Sequence, residues 1–86
     1  MKSVILRKYF EKKYSKLPNK IKESFKERRN LFLANEYDTI LDNHPVEKAY
    51  PGCRSIDITG DYRAIFFEDK EVVTFVTIGT HAQLYK

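Results

Sequence analysis

The sequence contains few of the residues that hold a small protein together by a covalent or metal link. Cys53 is the only cysteine among 86 residues, so no disulfide can form within the chain. The paired cysteines and the His-Glu-x-x-His spacing that bind zinc are missing. With 42% hydrophobic and 14% aromatic residues, the chain is too apolar for a disordered segment. We therefore expect one domain over residues 1–86 with an aromatic core, and we predict no cofactor and no metal.

Long apolar runs are also missing. No stretch reaches the roughly 18 residues that a membrane-spanning helix needs, and no secretory leader precedes the first helix-like stretch. Neither a glycine-rich phosphate loop nor a Gly-x-Ser-x-Gly elbow is present, so the sequence lacks the motifs of P-loop nucleotide-binding proteins and of α/β-hydrolases. These absences predict a cytoplasmic protein without membrane contact.

The charges that are present are unevenly distributed. Residues 1–34 contain eleven Lys or Arg against three Glu, whereas residues 35–86 contain five basic and nine acidic residues. A basic half of this kind either contacts a polyanion such as nucleic acid or is a solvated helix surface with surplus lysine. Charge alone leaves these two interpretations equal.

Hydrophobic spacing predicts a strand and two helices in this basic half. The β-branched run "SVIL" (3–6) favours a strand. After it, Phe10, Tyr14 and Leu17 follow the helical period, as do apolar residues from Ile21 to Phe32. Because Pro18 disfavours helical geometry at the residue before it, the first helix should end at Leu17 and the second should begin at residue 18 or 19 and end near Asn35.

The second half predicts an ordered connector and a meander of strands. Residues 36–52 have no sustained period and contain two of the three prolines. Strand-like runs follow at 53–59, 62–67 and 72–78, separated by Gly60-Asp61 and by "EDKE". The predicted fold is α+β, with two N-terminal amphipathic helices packed on a small, mainly antiparallel sheet.

Several polar residues interrupt the strands and could meet at one end of the sheet. Asp57 and Arg63 break apolar strands, Asp61 lies in a hairpin turn, and His44 and His81 lie in the connector and after the last strand. RNA can be cut without a metal when one group takes the ribose 2′-OH proton, another protonates the leaving oxygen, and a cation stabilises the phosphate. Histidine, aspartate and arginine are the matching residue types.

Each of these residues also has a structural explanation. Either histidine could be an ordinary surface residue, and Asp61 after Gly60 is what a tight turn selects. Arg63 could serve only to pair with Asp57 across the hairpin. Tyr85 could simply cap the core, so the residues alone leave the function open.

Two segments carry a resemblance to a known family. The stretch "NHPVEKAYPGCRSIDITGDYRAIF" (43–66) and the closing "IGTHAQLY" (78–85) resemble the RelE/ParE superfamily of toxin-antitoxin toxins, and in particular its YafQ-like group. The helical half is similar in pattern, so the resemblance extends over essentially the whole chain. It implies a RelE-like fold.

The resemblance also implies an activity and partners. A protein of this family would be an mRNA interferase, an endoribonuclease that enters the ribosomal A site and cuts translated mRNA without a metal. A cognate antitoxin would neutralise it in a hetero-oligomer. A second member type, the ParE-like toxins, would bind and inhibit DNA gyrase and cut nothing.

The family's functional residues transfer onto particular positions of this sequence. His44, Asp61, His81 and Tyr85 match the YafQ group, and Arg63 matches the strand arginine of RelE. By resemblance, His81 is general acid or base, His44 and Asp61 are its proton-transfer partners, and Arg63 stabilises the phosphorane. The glycine of "GTHAQLY" would turn the chain out of the last strand, and Tyr85 would stack on or position a base.

Two positions depart from the family pattern. Asp57 stands where the YafQ group has a histidine, and Thr77 stands where it has an arginine, so Arg63 would have to supply the charge that Thr77 cannot. Asp57 is retained as a supporting residue. Basic helix residues would hold ribosomal RNA through its phosphates. The residues predicted for this role are Lys12, Lys13, Lys16, Lys20, Arg28 and Arg29.

Overall fold

The computed structural model of the chain describes residues 2–85. In chain order its elements are β1 (Ser3–Leu6), α1 (Lys8–Ser15), α2 (Asn19–Ala34), a 3-10 turn (Thr39–Leu41), β2 (His44–Pro45), β3 (Arg54–Asp57), β4 (Tyr62–Asp69), β5 (Val72–Thr80) and α3 (His81–Leu84). The strands form one sheet in the order β1-β5-β4-β3-β2. The predicted α+β class is confirmed.

The two long helices begin and end close to the positions that Pro18 dictates. Helix α1 ends at Ser15, two residues earlier than predicted, and α2 begins directly after Pro18, whose main-chain oxygen accepts from the N–H groups of Ile21 and Lys22. Proline suits this place because its missing N–H would have no helical partner there. Asn35 caps the other end of α2, as predicted.

The sheet is antiparallel except at one edge. Strands β3, β4 and β5 form the predicted meander, but β1 pairs with β5 in parallel, with Leu6 opposite Phe75. The connector also contributes a two-residue strand, β2, in which His44 lies opposite Ser55. Two residues are too few to show a period, so hydrophobic spacing could not predict this strand.

Aromatic rings form the core between the helices and one face of the sheet. The ring centroids of Phe10 and Phe25 lie 5.2 Å apart, and those of Phe25 and Phe75 lie 5.3 Å apart. Phe32 meets Phe66 edge to face at 5.0 Å. Edge-to-face pairs of this kind stabilise a core beyond their buried area, by about 0.5–1.5 kcal/mol each. The helices therefore cover the face that Phe66 and Phe75 share.

The opposite face of the sheet carries the polar strand residues. Arg63 and Ile65 alternate along β4 with the core residues Ala64 and Phe66, so they project from the other side. There the segment around residues 42–50 and helix α3 lie over the sheet, which buries Ile65 completely. No helix among residues 2–85 is long and apolar enough to cross a membrane.

The segment after β5 differs from its prediction. Gly79 does not turn the chain out of the strand: it lies inside β5, opposite Arg63, and Thr80 ends the strand. The chain then forms helix α3, whose first turn is closed by a capping box between Thr80 and Gln83. The threonine hydroxyl accepts from the Gln83 N–H at 3.2 Å, and the glutamine side chain accepts from the Thr80 N–H at 2.9 Å.

Candidate functional site

The open face of the sheet contains a cleft between the connector and helix α3. We call it the histidine cleft, because His44 and His81 both line it. Its volume of about 900 Å³ is in the range of sites that bind small ligands. Arg63 and Tyr85 line it as well, so four of the five residues predicted to be catalytic meet in one place.

The ring of His44 is oriented by Asp42, two residues before it, which follows the 3-10 turn. Asp42 adopts the left-handed conformation (φ 47°), and its main-chain oxygen lies 2.6 Å from Nδ1 of His44. Because a carbonyl oxygen only accepts, Nδ1 must carry the hydrogen. The neutral ring therefore has its lone pair on Nε2, where it can take a proton.

Arg63 is held at one edge of its guanidinium group. Its Nη1 donates to the main-chain oxygens of Thr59, Gly60 and Tyr62 at 3.1–3.3 Å, which ties the group to the β3–β4 hairpin. Its Nε lies 2.9 Å from Oδ1 of Asp57, as the alternative interpretation of Arg63 expected. The pairing and the cleft position occur together, so the ion pair does not remove Arg63 from the site.

Asp57 is an unusual ion-pair partner because it is poorly solvated. Burial raises the pKa of the Asp57 carboxyl, and the lowering by Arg63 does not offset this effect. Oδ1 is buried and the N–H of Arg63 does not point at it closely enough for a hydrogen bond. The carboxylate pairs with Arg63 at 2.9 Å, and a protonated Asp57 would leave the arginine charge without this partner.

His81 and Tyr85 are presented together by helix α3. They lie four residues apart, one turn along the helix, and their ring centroids are 4.7 Å apart. His81 is exposed, while Leu84, one turn further along the helix, is buried. The helix thus anchors itself through Leu84 and exposes the imidazole to the cleft.

A connector tyrosine holds this helix in place. The hydroxyl of Tyr50 donates to the main-chain oxygen of Leu84 at 2.8 Å, and its ring meets that of Tyr85 edge to face at 6.1 Å. Burial raises the pKa of the Tyr50 hydroxyl, so it remains a hydrogen-bond donor well above neutral pH. The sequence reasoning missed Tyr50.

Asp61 is the one predicted catalytic residue that does not line the histidine cleft. It is exposed. Its main-chain oxygen accepts from the N–H of His81 at 3.1 Å, so the backbone of Asp61 holds the start of α3. Asp61 therefore contacts the site through its main chain and not through the carboxylate.

Ser55 lines the cleft and was also missed. It lies opposite His44 in the strand register, is fully buried, and its hydroxyl has no hydrogen-bond partner among residues 2–85. A serine inside a strand gives no signal in the sequence, because its importance comes only from the strand that pairs with it.

The lone cysteine has no sign of reactivity. Burial raises the pKa of the Cys53 thiol, whereas a nucleophilic cysteine needs a lowered one. Within the described part of the chain, no group of three or more His, Cys, Asp or Glu side chains is placed to hold a metal ion. The cleft places two imidazoles beside an anchored guanidinium group, a set of groups that can transfer protons next to a fixed positive charge.

The predicted RNA-binding residues fall into two sets. Lys12, Lys13 and Lys16 line a shallow depression beside α1. Arg28 and Arg29 lie on α2, where Arg28 donates to the main-chain oxygen of Ile40 at 3.3 Å. Lys20 and the two arginines line neither this depression nor the histidine cleft.

The fold is that of the small toxins of toxin-antitoxin pairs, as the solved structures show. The chain matches YafQ from E. coli strain BL21(DE3) with a TM-score of 0.81 and 21% identity over 100% of both chains. It matches RelE in the antitoxin-toxin complex from Methanococcus jannaschii with a TM-score of 0.74 and 20% identity over 94% of both chains. The YoeB/ParE toxin from Agrobacterium tumefaciens matches with a TM-score of 0.74 and 13% identity over 94% of this chain and 99% of that one.

These likenesses confirm the RelE-like fold that the two sequence segments predicted. No protein-family profile matches the chain, and no curated protein matches its sequence. At identities near 20% the shared fold does not establish a shared activity, because one fold carries many functions. Evidence for the function therefore has to come from the residues of the histidine cleft.

Proposed function

We propose that this chain is the toxin of a type II toxin-antitoxin pair, an endoribonuclease that cuts translated mRNA in the ribosomal A site without a metal ion. The observation that carries the proposal is the convergence of His44, Arg63 and His81 in one cleft. The likeness in fold to YafQ and RelE supports it.

The two histidines divide the proton transfers of RNA cleavage. His44, with Nδ1 bonded to the Asp42 carbonyl, takes the proton of the ribose 2′-OH on Nε2. The 2′ oxygen then bonds to phosphorus, and the bond from phosphorus to the 5′ oxygen breaks. His81 in its protonated form gives a proton to that leaving oxygen. The products are a 2′,3′-cyclic phosphate and a 5′-hydroxyl end.

Arg63 stabilises the negative charge that develops on the phosphate. Its Nε and Nη1 face Asp57 and the hairpin carbonyls, and Nη2 has no hydrogen-bond partner among residues 2–85. This side of the group is the one left for a phosphate oxygen. A donor fixed before the reaction needs no reorganisation when the charge appears.

Tyr85 and the basic helix residues position the RNA. The Tyr85 ring, beside the His81 ring, offers a surface for a base next to the scissile phosphate. Lysines and arginines of α1 and α2 contact ribosomal RNA through its phosphates. Asp61 supports the site by holding the main chain of His81.

The proposed protein partner is an antitoxin. RelE is present in its solved structure as a complex with an antitoxin, and YafQ has been crystallised in complex with DinJ. An antitoxin that covers the histidine cleft or displaces helix α3 would neutralise the toxin in a hetero-oligomer.

A toxin that only binds gyrase would not need His44 and His81 to lie in the same cleft. They line one cleft together with Arg63, which favours cleavage over binding alone. A purified gyrase supercoiling assay separates the two, because only the alternative predicts inhibition there.

Primer extension on an mRNA in a cell-free translation reaction tests the proposal. The wild-type chain should produce new 5′ ends within the coding region, and His81→Gln or His44→Gln should lower the cleavage rate about 10²- to 10⁴-fold. Asp61→Asn should retain most of the rate, since its carboxylate lies outside the cleft. Cleavage by His81→Gln at the wild-type rate would overturn the proposal.

A further inference from the structure

Three depressions in the surface are adjacent and share lining residues. The histidine cleft shares Tyr50 and Leu84 with a second depression, which we call the middle groove. The middle groove shares Tyr9, Lys13 and Gln83 with the lysine depression, the one lined by Lys12, Lys13 and Lys16. The middle groove therefore lies between the histidine cleft and the lysine depression and adjoins both.

The lining of the middle groove carries more positive than negative charge. Arg7 lies with its guanidinium carbon 5.2 Å from the ring centroid of Phe67, and Lys13 points its Nζ at the Thr77 hydroxyl at 3.4 Å. Glu68 is the acidic residue of the lining, and its carboxylate is bonded to Lys2 at 2.6 Å. Lys2 also bonds Glu36 at 2.6 Å, so it does not fully neutralise Glu68. Two basic side chains and one acidic side chain therefore line the groove, which leaves a net positive charge for an anionic ligand.

An aromatic ring lies beside these charges. Tyr9 is 61% exposed, although tyrosine usually buries most of its ring. The Nζ of Lys13 lies 5.6 Å from the centre of that ring. An exposed ring next to a cation is the combination that binds one nucleotide, with the base on the ring and the phosphate on the cation.

We propose that the middle groove binds a nucleotide of the RNA strand adjacent to the one held in the histidine cleft. In this site Tyr9 stacks on the base, and Arg7 and Lys13 contact the phosphates. The proposal rests on the proposed function, because the strand enters the groove from the cleft. It assigns a binding role to two residues, Arg7 and Tyr9, that the sequence did not single out.

The contents of the groove favour RNA over an acidic peptide. A peptide would be bound by the charges alone, whereas the exposed Tyr9 ring gives a flat surface that suits any base. The groove also adjoins the cleft where the scissile phosphate is proposed to lie, since Ala49, Tyr50 and Leu84 line both. A strand of connected nucleotides fits two adjoining sites.

The chain offers a matched control residue for the test. Tyr37 is 63% exposed and has the guanidinium group of Arg54 at 5.7 Å from its ring centre, but it lines none of the three depressions. Replacing Tyr37 therefore removes an equally exposed ring beside a cation without touching the groove.

Fluorescence anisotropy with a labelled 2′-O-methyl RNA of six nucleotides and mixed sequence measures the binding. The methyl groups prevent attack by the 2′ oxygen, so binding is read without cleavage. We expect Tyr9→Ala to weaken binding about 5- to 100-fold, Tyr9→Phe to restore it, and Tyr37→Ala to leave it unchanged. Thermal melting of each variant checks that the fold is retained.

Several outcomes would overturn this proposal. These are wild-type affinity in Tyr9→Ala, equal weakening by Tyr9→Ala and Tyr37→Ala, or no binding of the RNA by the wild-type chain. A hexaglutamate peptide that binds the wild type and loses affinity in Tyr9→Ala, when the RNA does not, would make the groove a peptide site instead. Failure of the proposed function is seen separately, as missing mRNA cleavage in translating ribosomes.

Discussion

The hydroxyl of Tyr50 donates a 2.8 Å hydrogen bond to the main-chain oxygen of Leu84, so the connector holds the helix that presents His81. Leu84 is the last residue of α3, so its carbonyl has no hydrogen-bond partner within the helix. The bond therefore satisfies a helix end and also fixes the position of the site.

Replacing Tyr50 by Phe should loosen helix α3 without unfolding the core. The change removes the donor and leaves the buried Leu84 carbonyl unpaired, which costs about 1 kcal/mol of unfolding free energy. Amide hydrogen exchange should become faster in residues 81–85 but stay unchanged in β4. Tyr37→Phe is the matched control, and equal exchange rates in Tyr50→Phe and the wild type would show that the bond does not hold the helix.

Substitution of Gly79 should be destabilising for a steric reason. An added Cβ would lie 2.9 Å from Oε1 of Gln83, the atom that accepts from the Thr80 N–H. Gly79→Ala should therefore displace the Gln83 side chain, break its bond to the Thr80 N–H and lower the unfolding free energy by about 0.5–1 kcal/mol, while the bond from the Gln83 N–H to the Thr80 hydroxyl remains. At Gly60 an added Cβ would meet no atom within 4 Å, so Gly60→Ala should be neutral in the same urea denaturation.

The double variant Gly79→Ala with Gln83→Ala tests whether the loss of stability comes from the contact between residue 79 and Gln83. If the cost of Gly79→Ala comes from its clash with Gln83, the alanine at 79 should add little once Gln83 is already removed. Fully additive losses would contradict it.

Asp57 should make stability depend on pH in a defined direction. Because burial raises its pKa in the folded state, its contribution is most favourable below its ordinary value near 3.8 and is lost as pH rises through the raised value. Asn resembles the protonated form, so Asp57→Asn should be more stable than the wild type at pH 7, with the difference disappearing below about pH 3.8. Urea denaturation at several pH values measures it. A variant that is less stable at pH 7 would show that the Arg63 pair outweighs burial.

The lysines of α1 should control ribosome binding through charge. Reversing Lys12, Lys13 and Lys16 to Glu should weaken ribosome association steeply at low salt, and the loss should shrink as salt rises, because phosphate contacts are screened. Lys22, Lys26 and Lys70 lie outside the three depressions, so their reversal to Glu is a control with the same net charge. Equal effects of the two triple variants would indicate a general charge effect and a solvated basic surface.

Regular elements could be predicted because their signals are local. The period from Phe10 to Leu17, the position of Pro18 and the β-branched runs each depend on neighbours in the sequence, and the structure confirms the elements they indicate. Helix α3 had a local signal too, the Thr80 to Gln83 capping box, which was missed because the segment is so short.

The site could be predicted only in part because its geometry is not local. The residue types of His44, Arg63 and His81 suggested the chemistry, but their meeting depends on β2 pairing with β3 and on α3 folding back over the sheet. Tyr50 and Ser55 acquire their roles through those same contacts. Gly79 shows the same limit, since the space it leaves is used by a residue four positions later.

The central claim is that the histidine cleft cuts RNA by attack of the ribose's own hydroxyl. The most direct test is the chemistry of the fragment ends after cleavage of ribosome-bound mRNA, read by mass spectrometry. The account predicts 2′,3′-cyclic phosphate or 3′-phosphate ends with 5′-hydroxyl partners, formed by the wild type and not by His81→Gln. Fragments with 3′-hydroxyl ends would contradict it, because they require a water or hydroxide as the attacking group.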